Sequence, residues 1–219
     1  MTKCEHGFER CGVCHDKSGA PLADAQRPVD ALVIPNKFPV IVIDPPWEYP
    51  EGWPSWNDNG DRKGLEYQTM TVDAIKAMPI YRLLKHEGYV FLWTTDRFLE
   101  DAFSVLRAWR CVPRQTVVWC KKPRGLGPGG MFATTTEFVL IGQRIGPNSH
   151  ARGKRTTGKR FDSSWFVWPR GRHSEKPEEF QNIVEQVTDG PYLEMFARRE
   201  RPGWFVWGNE VNSDLSLEV

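Results

Sequence analysis

A chain of 219 residues with 40% hydrophobic content can bury one core of ordinary domain size, and its net charge of +1 announces no polyanion partner by itself. No apolar run approaches the roughly 18 residues of a membrane span, so a membrane protein is excluded as an expectation. The opening MTKCEHGFERCG carries no apolar signal segment, and five cysteines without framework spacing fit a reducing, cytoplasmic setting rather than an exported disulfide scaffold.

In chain order, residues 1–20 form a Cys/His-rich head. Cys11 and Cys14 make a C-x-x-C pair which, with Cys4 and His6 upstream, fits one structural zinc ion in tetrahedral coordination; His15 is the substitute ligand, and a tail with incidental thiols is the other reading. Residues 21–37 read as a linker, 38–210 as one catalytic domain and 211–219 as a short tail. Phe38–Asp44 (FPVIVID) is a β-branched apolar run, the mark of a buried parallel strand, and Gly88–Trp93 (GYVFLW) is a second. Residues 71–86 between them predict a helix interrupted at Pro79. Thr95 or Asp96 caps a further helix with Phe98, Ala102, Val105, Leu106 and Trp109 at helical spacing.

Gln115–Cys120 and Glu137–Gly142 predict strands on either side of the glycine-rich RGLGPGG, which lacks the Lys-Ser or Lys-Thr of a phosphate-binding P-loop. Pro177 suits the first position of a helix that begins with Glu178 and Glu179 and buries Phe180, Ile183, Val184 and Val187. Tyr192–Ala197 and Trp204–Trp207 complete the set. This alternation predicts an α/β fold, a mostly parallel open sheet with helices on both faces, and such sheets bind ligands beyond the carboxyl ends of their strands.

The most specific feature is Asp44-Pro45-Pro46-Trp47 at the end of the first strand. Two prolines stiffen the turn by fixing φ and restricting the residue before each. A carboxylate and the neighbouring carbonyl can accept both N–H groups of an exocyclic amine such as that of adenine. The nitrogen then pyramidalises and attacks a methyl sulfonium. Trp47 offers a face on which a flat base can stack, and holding the acceptors in place is itself the catalysis. A strand-end turn with Trp47 in the core is the plainer reading.

Asp44-Pro45-Pro46-Trp47 resembles the signature of the permuted, β-class N6-adenine methyltransferases. The likeness continues through Tyr67-Gln68-Thr69-Met70, Phe91-Leu92-Trp93-Thr94, Val118-Trp119 with Lys121, and Glu137. It then takes in His173-Ser174-Glu175-Lys176-Pro177, Glu194-Met195-Phe196-Ala197-Arg198, and Gly203-Trp204 ahead of Trp207-Gly208-Asn209-Glu210. The resemblance implies a Rossmann-like methyltransferase fold and S-adenosyl-L-methionine as cofactor. The implied substrate is the N6 amine of adenine in a nucleic acid, with DNA, the substrate of bacterial and phage members, expected before RNA. A catalytically inactive nucleic-acid-binding partner is the alternative from a different class, and a homodimer is compatible with the sequence. The implied cofactor site pairs Lys176 with the cofactor's carboxylate. Glu194, Phe196 and Arg198 line its ribose and adenine side, Asn209 and Glu210 add hydrogen bonds, and Asp44 faces both the amine and the cofactor. Two strand positions separate Glu194 from Phe196 and Phe196 from Arg198, which places all three on one face of a strand and leaves a structural ion pair as the other reading.

Two loops complete the reading. Glu48–Arg62 brings Tyr49, Trp53 and Trp56 as aromatic walls for a base taken out of its stack. Gln143–Arg160 holds Arg144, Arg152, Lys154, Arg155, Lys159 and Arg160 and no acid, and Arg152, Lys154 and Arg155 are the expected phosphate contacts.

Overall fold

The computed structural model describes residues 35–49, 68–121, 131–145, 160–169 and 175–217. Among the described residues seven strands share one sheet: β1 (Phe38–Ile43), β2 (Leu84–Thr94), β3 (Cys111–Lys121), β4 (Thr136–Arg144), β5 (Trp165–Trp168), β6 (Tyr192–Met195) and β7 (Trp204–Trp207). Their spatial order is β5-β3-β4-β2-β1-β6-β7. Strand β1 pairs in parallel with β2 and β6, β6 with β7, and β3 with β5, whereas β4 runs antiparallel to both of its neighbours, β2 and β3. The fold is the expected Rossmann-like, mostly parallel sheet.

Strand β1 is central because both of its faces are apolar. Ile41 and Ile43 enter one buried cluster, and Val40 and Val42 enter the other. Helices α1 (Val72–Ala77), α2 (Ile80–Leu83) and α3 (Leu99–Ala108) lie on the first side, and α4 (Glu179–Val187) covers the second. The Thr71 hydroxyl accepts the Ala74 N–H at 3.1 Å to cap α1. Pro79 then splits the helix predicted over 71–86, and the chain is already in β2 at Leu84. A 3-10 turn at Asp96–Phe98 leads into α3, whose predicted face (Phe98, Ala102, Val105, Leu106, Trp109) is buried throughout.

Helix α4 starts at Glu179, with Glu178 as its cap, rather than at Pro177. The Phe180 N–H donates back to the Pro177 carbonyl at 3.1 Å, a tight first turn that precedes regular α geometry. Burying Phe180, Ile183 and Val184 stabilises this layer by about 1.5–3 kcal/mol each, while Val187 is only half-buried. Past β7, the Val206 N–H donates to the Asp214 carboxylate at 2.7 Å, and Leu215 and Leu217 pack on the first core. Among the described residues no helix is long and apolar enough to cross a membrane. The head, nearly all of the linker, and the glycine-rich loop lie outside the described residues.

Candidate active site

Strand β1 delivers Asp44 to the carboxyl rim of the sheet, where the next three residues are tied down by backbone bonds. The Trp47 N–H donates to the Pro45 carbonyl at 2.9 Å, the Met70 N–H to the Pro46 carbonyl at 2.8 Å, and the Glu48 N–H to the Met70 carbonyl at 3.1 Å. The Trp47 indole N–H donates to the Trp93 carbonyl at 3.2 Å, and its ring stacks on Phe98 with centroids 5.2 Å apart. Trp47 is therefore largely a core residue, and Phe98 rather than a ligand occupies one of its faces. The Tyr49 ring meets Phe98 edge-on, and its hydroxyl lies 3.3 Å from the Thr95 hydroxyl.

A cleft of about 250 Å³ opens over this turn. It brings together Asp44, Pro45, Pro46, Trp47, Tyr49, Lys176, Phe196, Arg198, Asn209 and Glu210, all anticipated, and adds Gln68, Thr94, Thr95, Glu137 and Ala197. Its centre is a charge array. The Lys176 ammonium donates to Asp44 Oδ2 at 2.7 Å and lies 3.4 Å from Glu137 Oε2, while Glu137 Oε1 is 2.5 Å from the Lys121 ammonium. Two lysines and two carboxylates sum to zero, which makes burial of all four tolerable.

Their titration follows from position. Burial raises the Asp44 carboxyl above its ordinary range, and Lys176 only partly offsets this. Burial also works against ionised Glu137, but Lys176 and Lys121 outweigh it and hold its carboxyl below the usual range. Burial likewise disfavours the charged Lys176, and Asp44 and Glu137 override it, so the ammonium stays protonated. The resemblance pairs Lys176 with a cofactor's carboxylate; the structure adds two carboxylates of the protein, Asp44 and Glu137, beside it.

Glu194 lies apart from the other residues expected at the cofactor. It does not line the cleft, and its carboxylate accepts the Gln181 amide at 3.2 and 3.3 Å on the α4 side of the sheet, where burial raises its pKa. The shared face with Phe196 and Arg198 fails for a backbone reason. Strand β6 ends at Met195 and Phe196 adopts φ 60°, so the two-residue alternation breaks there. Phe196 turns its ring to Trp207, with centroids 5.2 Å apart, and Arg198 Nε lies 3.6 Å from the Glu210 carboxylate.

Asn209 and Glu210 reach the cleft because Gly208 lets the chain pass close to Ala197. A Cβ at Gly208 would sit 2.3 Å from the Ala197 carbonyl oxygen and 2.8 Å from its nitrogen. Gly208→Ala should lower stability by about 1–3 kcal/mol, the usual cost of overpacking, and displace Asn209. A thermal melt and cofactor calorimetry check this; an unchanged melt would show that the close approach carries no constraint.

Trp53, Trp56, Arg152, Lys154 and Arg155, and the zinc ligands Cys4, His6, Cys11 and Cys14, lie outside the described residues. Among the described residues no cluster of His, Cys, Asp or Glu could hold a metal ion. Glu137 belongs to the family likeness in the sequence but carries no chemical role there. The signal for it was a lone acid opening an apolar strand opposite Trp119, two residues from Lys121.

A family model described as MT-A70 matches residues 38–210. The N(6)-adenosine-methyltransferase MT-A70-like protein of Drosophila melanogaster is 26% identical over 190 residues, covering 83% of this chain and 28% of that protein. The N(6)-adenosine-methyltransferase catalytic subunit METTL3 of Homo sapiens is 26% identical over 195 residues, 85% of this chain and 30% of its own length. The type II methyltransferase M.MunI of a Mycoplasma species is 26% identical over 201 residues, 84% of this chain and 82% of that protein. The chain thus spans under a third of the length of the two eukaryotic relatives and most of the Mycoplasma one. With the greater part of its length matched by that model, the chain belongs to the MT-A70 family.

Proposed function

We propose that this chain transfers a methyl group from S-adenosyl-L-methionine to the N6 amine of adenine in DNA. The observation that carries the reading is the Asp44 carboxylate at the cleft. Lys176 takes Oδ2, and no donor among the described residues is paired with Oδ1. The adjacent Pro45 carbonyl keeps a second lone pair after accepting the Trp47 N–H. Two acceptors on one rigid turn are what a flat amine needs. With Asp44 and Pro45 holding its two hydrogens, the nitrogen can present its lone pair, and no strong base is required.

The residues present fit the cofactor. Glu210 and Asn209 can bond hydroxyl and amino groups, Phe196 supplies an apolar wall, and Lys176 is a fixed cation for a carboxylate. When bound, the cofactor supplies an electrophilic methyl on a sulfonium. The chain's own part is to orient the amine, screen charge around it and exclude water.

The acid limb of activity follows from Asp44, which accepts only when ionised. Its folded pKa lies above 3.8, so kcat/KM should fall as pH drops through a value higher than that of a free aspartate. Glu137 pushes that pKa up and competes for Lys176, so Glu137→Gln should move the limb to lower pH. A pH–rate profile of both proteins decides it, and a shift to higher pH would remove Glu137 from this role.

DNA is assigned ahead of RNA in line with the bacterial and phage members that the sequence resembles, and with the match over 82% of the Mycoplasma methyltransferase. The same chemistry on RNA is the second reading, favoured by the similarity to METTL3. Labelled methyl transfer into duplex DNA, single-stranded DNA and RNA separates them, and no transfer into any of these would leave an inactive binding partner. The proposal extends to a cytoplasmic protein whose loop cations Arg152, Lys154 and Arg155 contact phosphates and whose Trp53 and Trp56 receive the base. It also places one zinc ion on Cys4, His6, Cys11 and Cys14, which metal analysis of the purified chain tests.

A further inference from the structure

At the end of the sheet opposite the cleft, three arginines from separate elements converge on one tyrosine. Arg82 of α2 donates from Nε to the Tyr81 hydroxyl at 3.0 Å. Arg110, just past α3, lies over the Tyr81 ring at 4.5 Å from its centroid. Arg144, at the end of β4, donates to the carbonyls of Tyr81 and Leu84, which fixes it against the α2–β2 corner. Among the described residues no carboxylate pairs with any of the three, and Glu87 on the same corner joins none of them. The carboxyl end of α3 supplies roughly half a negative charge, too little to balance three guanidiniums.

Among the described residues these like charges meet without an acid beside them, and such a surface suits an anion. Planar forks of N–H donors match phosphate oxygens two at a time, and the tyrosine fixes two of the forks by stacking and hydrogen bonding. We infer that Arg82, Arg110 and Arg144 form a phosphate-binding site separate from the cleft. Seven residue steps of β4 separate Glu137 from Arg144, roughly 23 Å at about 3.3 Å per residue. A phosphate held here belongs either to nucleic acid running well beyond the base in the cleft or to a small phosphate-bearing ligand.

The test compares wild type with R82A/R110A, leaving Arg144 in place because it braces the corner. The probes are labelled single strands of about 30 and about five nucleotides with a central adenine, and inorganic phosphate followed by calorimetry. For backbone phosphates, the long strand should bind about tenfold more weakly in the variant. Its log affinity–log salt slope should flatten by about 1.4, and the short strand should be unaffected. Loss of inorganic phosphate binding with an unchanged long strand would assign the site to a small ligand. If the variant binds all three probes as wild type does, or if wild type binds neither the long strand nor phosphate, the site is refuted. Should R82A/R110A melt early, R82Q/R110Q keeps the side-chain stems over Tyr81 and carries the same comparison. Methyl transfer into the short strand is read separately, so failure of this site and failure of the catalytic assignment give different results.

Discussion

Asp44→Ala should lower methyl transfer by about a thousandfold or more, some 4 kcal/mol of barrier, while the protein remains folded. Alanine removes the acceptor that the turn presents, and the other described carboxylates of the cleft are engaged, Glu137 by Lys121 and Lys176 and Glu210 by Arg198. Asp44→Asn is the sharper variant. Lys176 sits 2.7 Å from one carboxylate oxygen, so it will select the rotamer that turns the amide oxygen toward itself. The NH₂ group is then left facing the substrate amine, donor against donor. Single-turnover kinetics at saturating cofactor measure both. A residual rate above a tenth of wild type in Asp44→Ala would remove Asp44 from the chemistry.

Lys176→Met should act on stability, acidity and cofactor affinity together. Its side chain is 16% exposed and its ammonium lies between two carboxylates, so deletion leaves Asp44 and Glu137 facing each other with Lys121 on Glu137 and the more distant Arg198 acting on Asp44. Breaking a buried pair from one side costs about 3–5 kcal/mol. The sign is testable by pH. Asp44, already raised by burial, loses the cation that was lowering it, so the acid limb of the rate should move up in pH. Cofactor affinity should fall by about 1.5–3 kcal/mol if Lys176 also meets the cofactor's carboxylate. Denaturant melts, a pH–rate profile and calorimetry read the three effects independently. A variant as stable as wild type with an unmoved acid limb would show that the array carries no energetic coupling.

Much of this was legible in the sequence because periodicity and turn chemistry are local. FPVIVID could only be a strand buried on both faces, and the spacing from Phe98 to Trp109 could only be one helix face. The order of strands in space was less legible. TEFVLIG is apolar in either direction, so nothing local says that β4 runs against its neighbours. WFVW at Trp165–Trp168 is four residues of aromatic and β-branched side chains, too short for a period to stand out, and β5 went unpredicted. At the site, Asp44 and Lys176 stood out by motif, but their direct contact did not, because the lysine arrives from a segment remote in the chain. The shared face of Glu194, Phe196 and Arg198 was misread because strand alternation was carried past Met195, where β6 ends, into a left-handed Phe196.

The reversal of β4 has a further consequence for how this rim can change. A parallel strand brings its last residues to the carboxyl rim, whereas an antiparallel one brings its first. Lys121 ends β3 and Glu137 opens β4, so both ends of the β3–β4 connection are anchored at the mouth of the cleft. Residues added or removed between these two anchors would leave the register of nine paired positions between the two strands undisturbed. Grafting connections of different length and sequence between these anchors is therefore the most economical route to altered substrate preference on this scaffold.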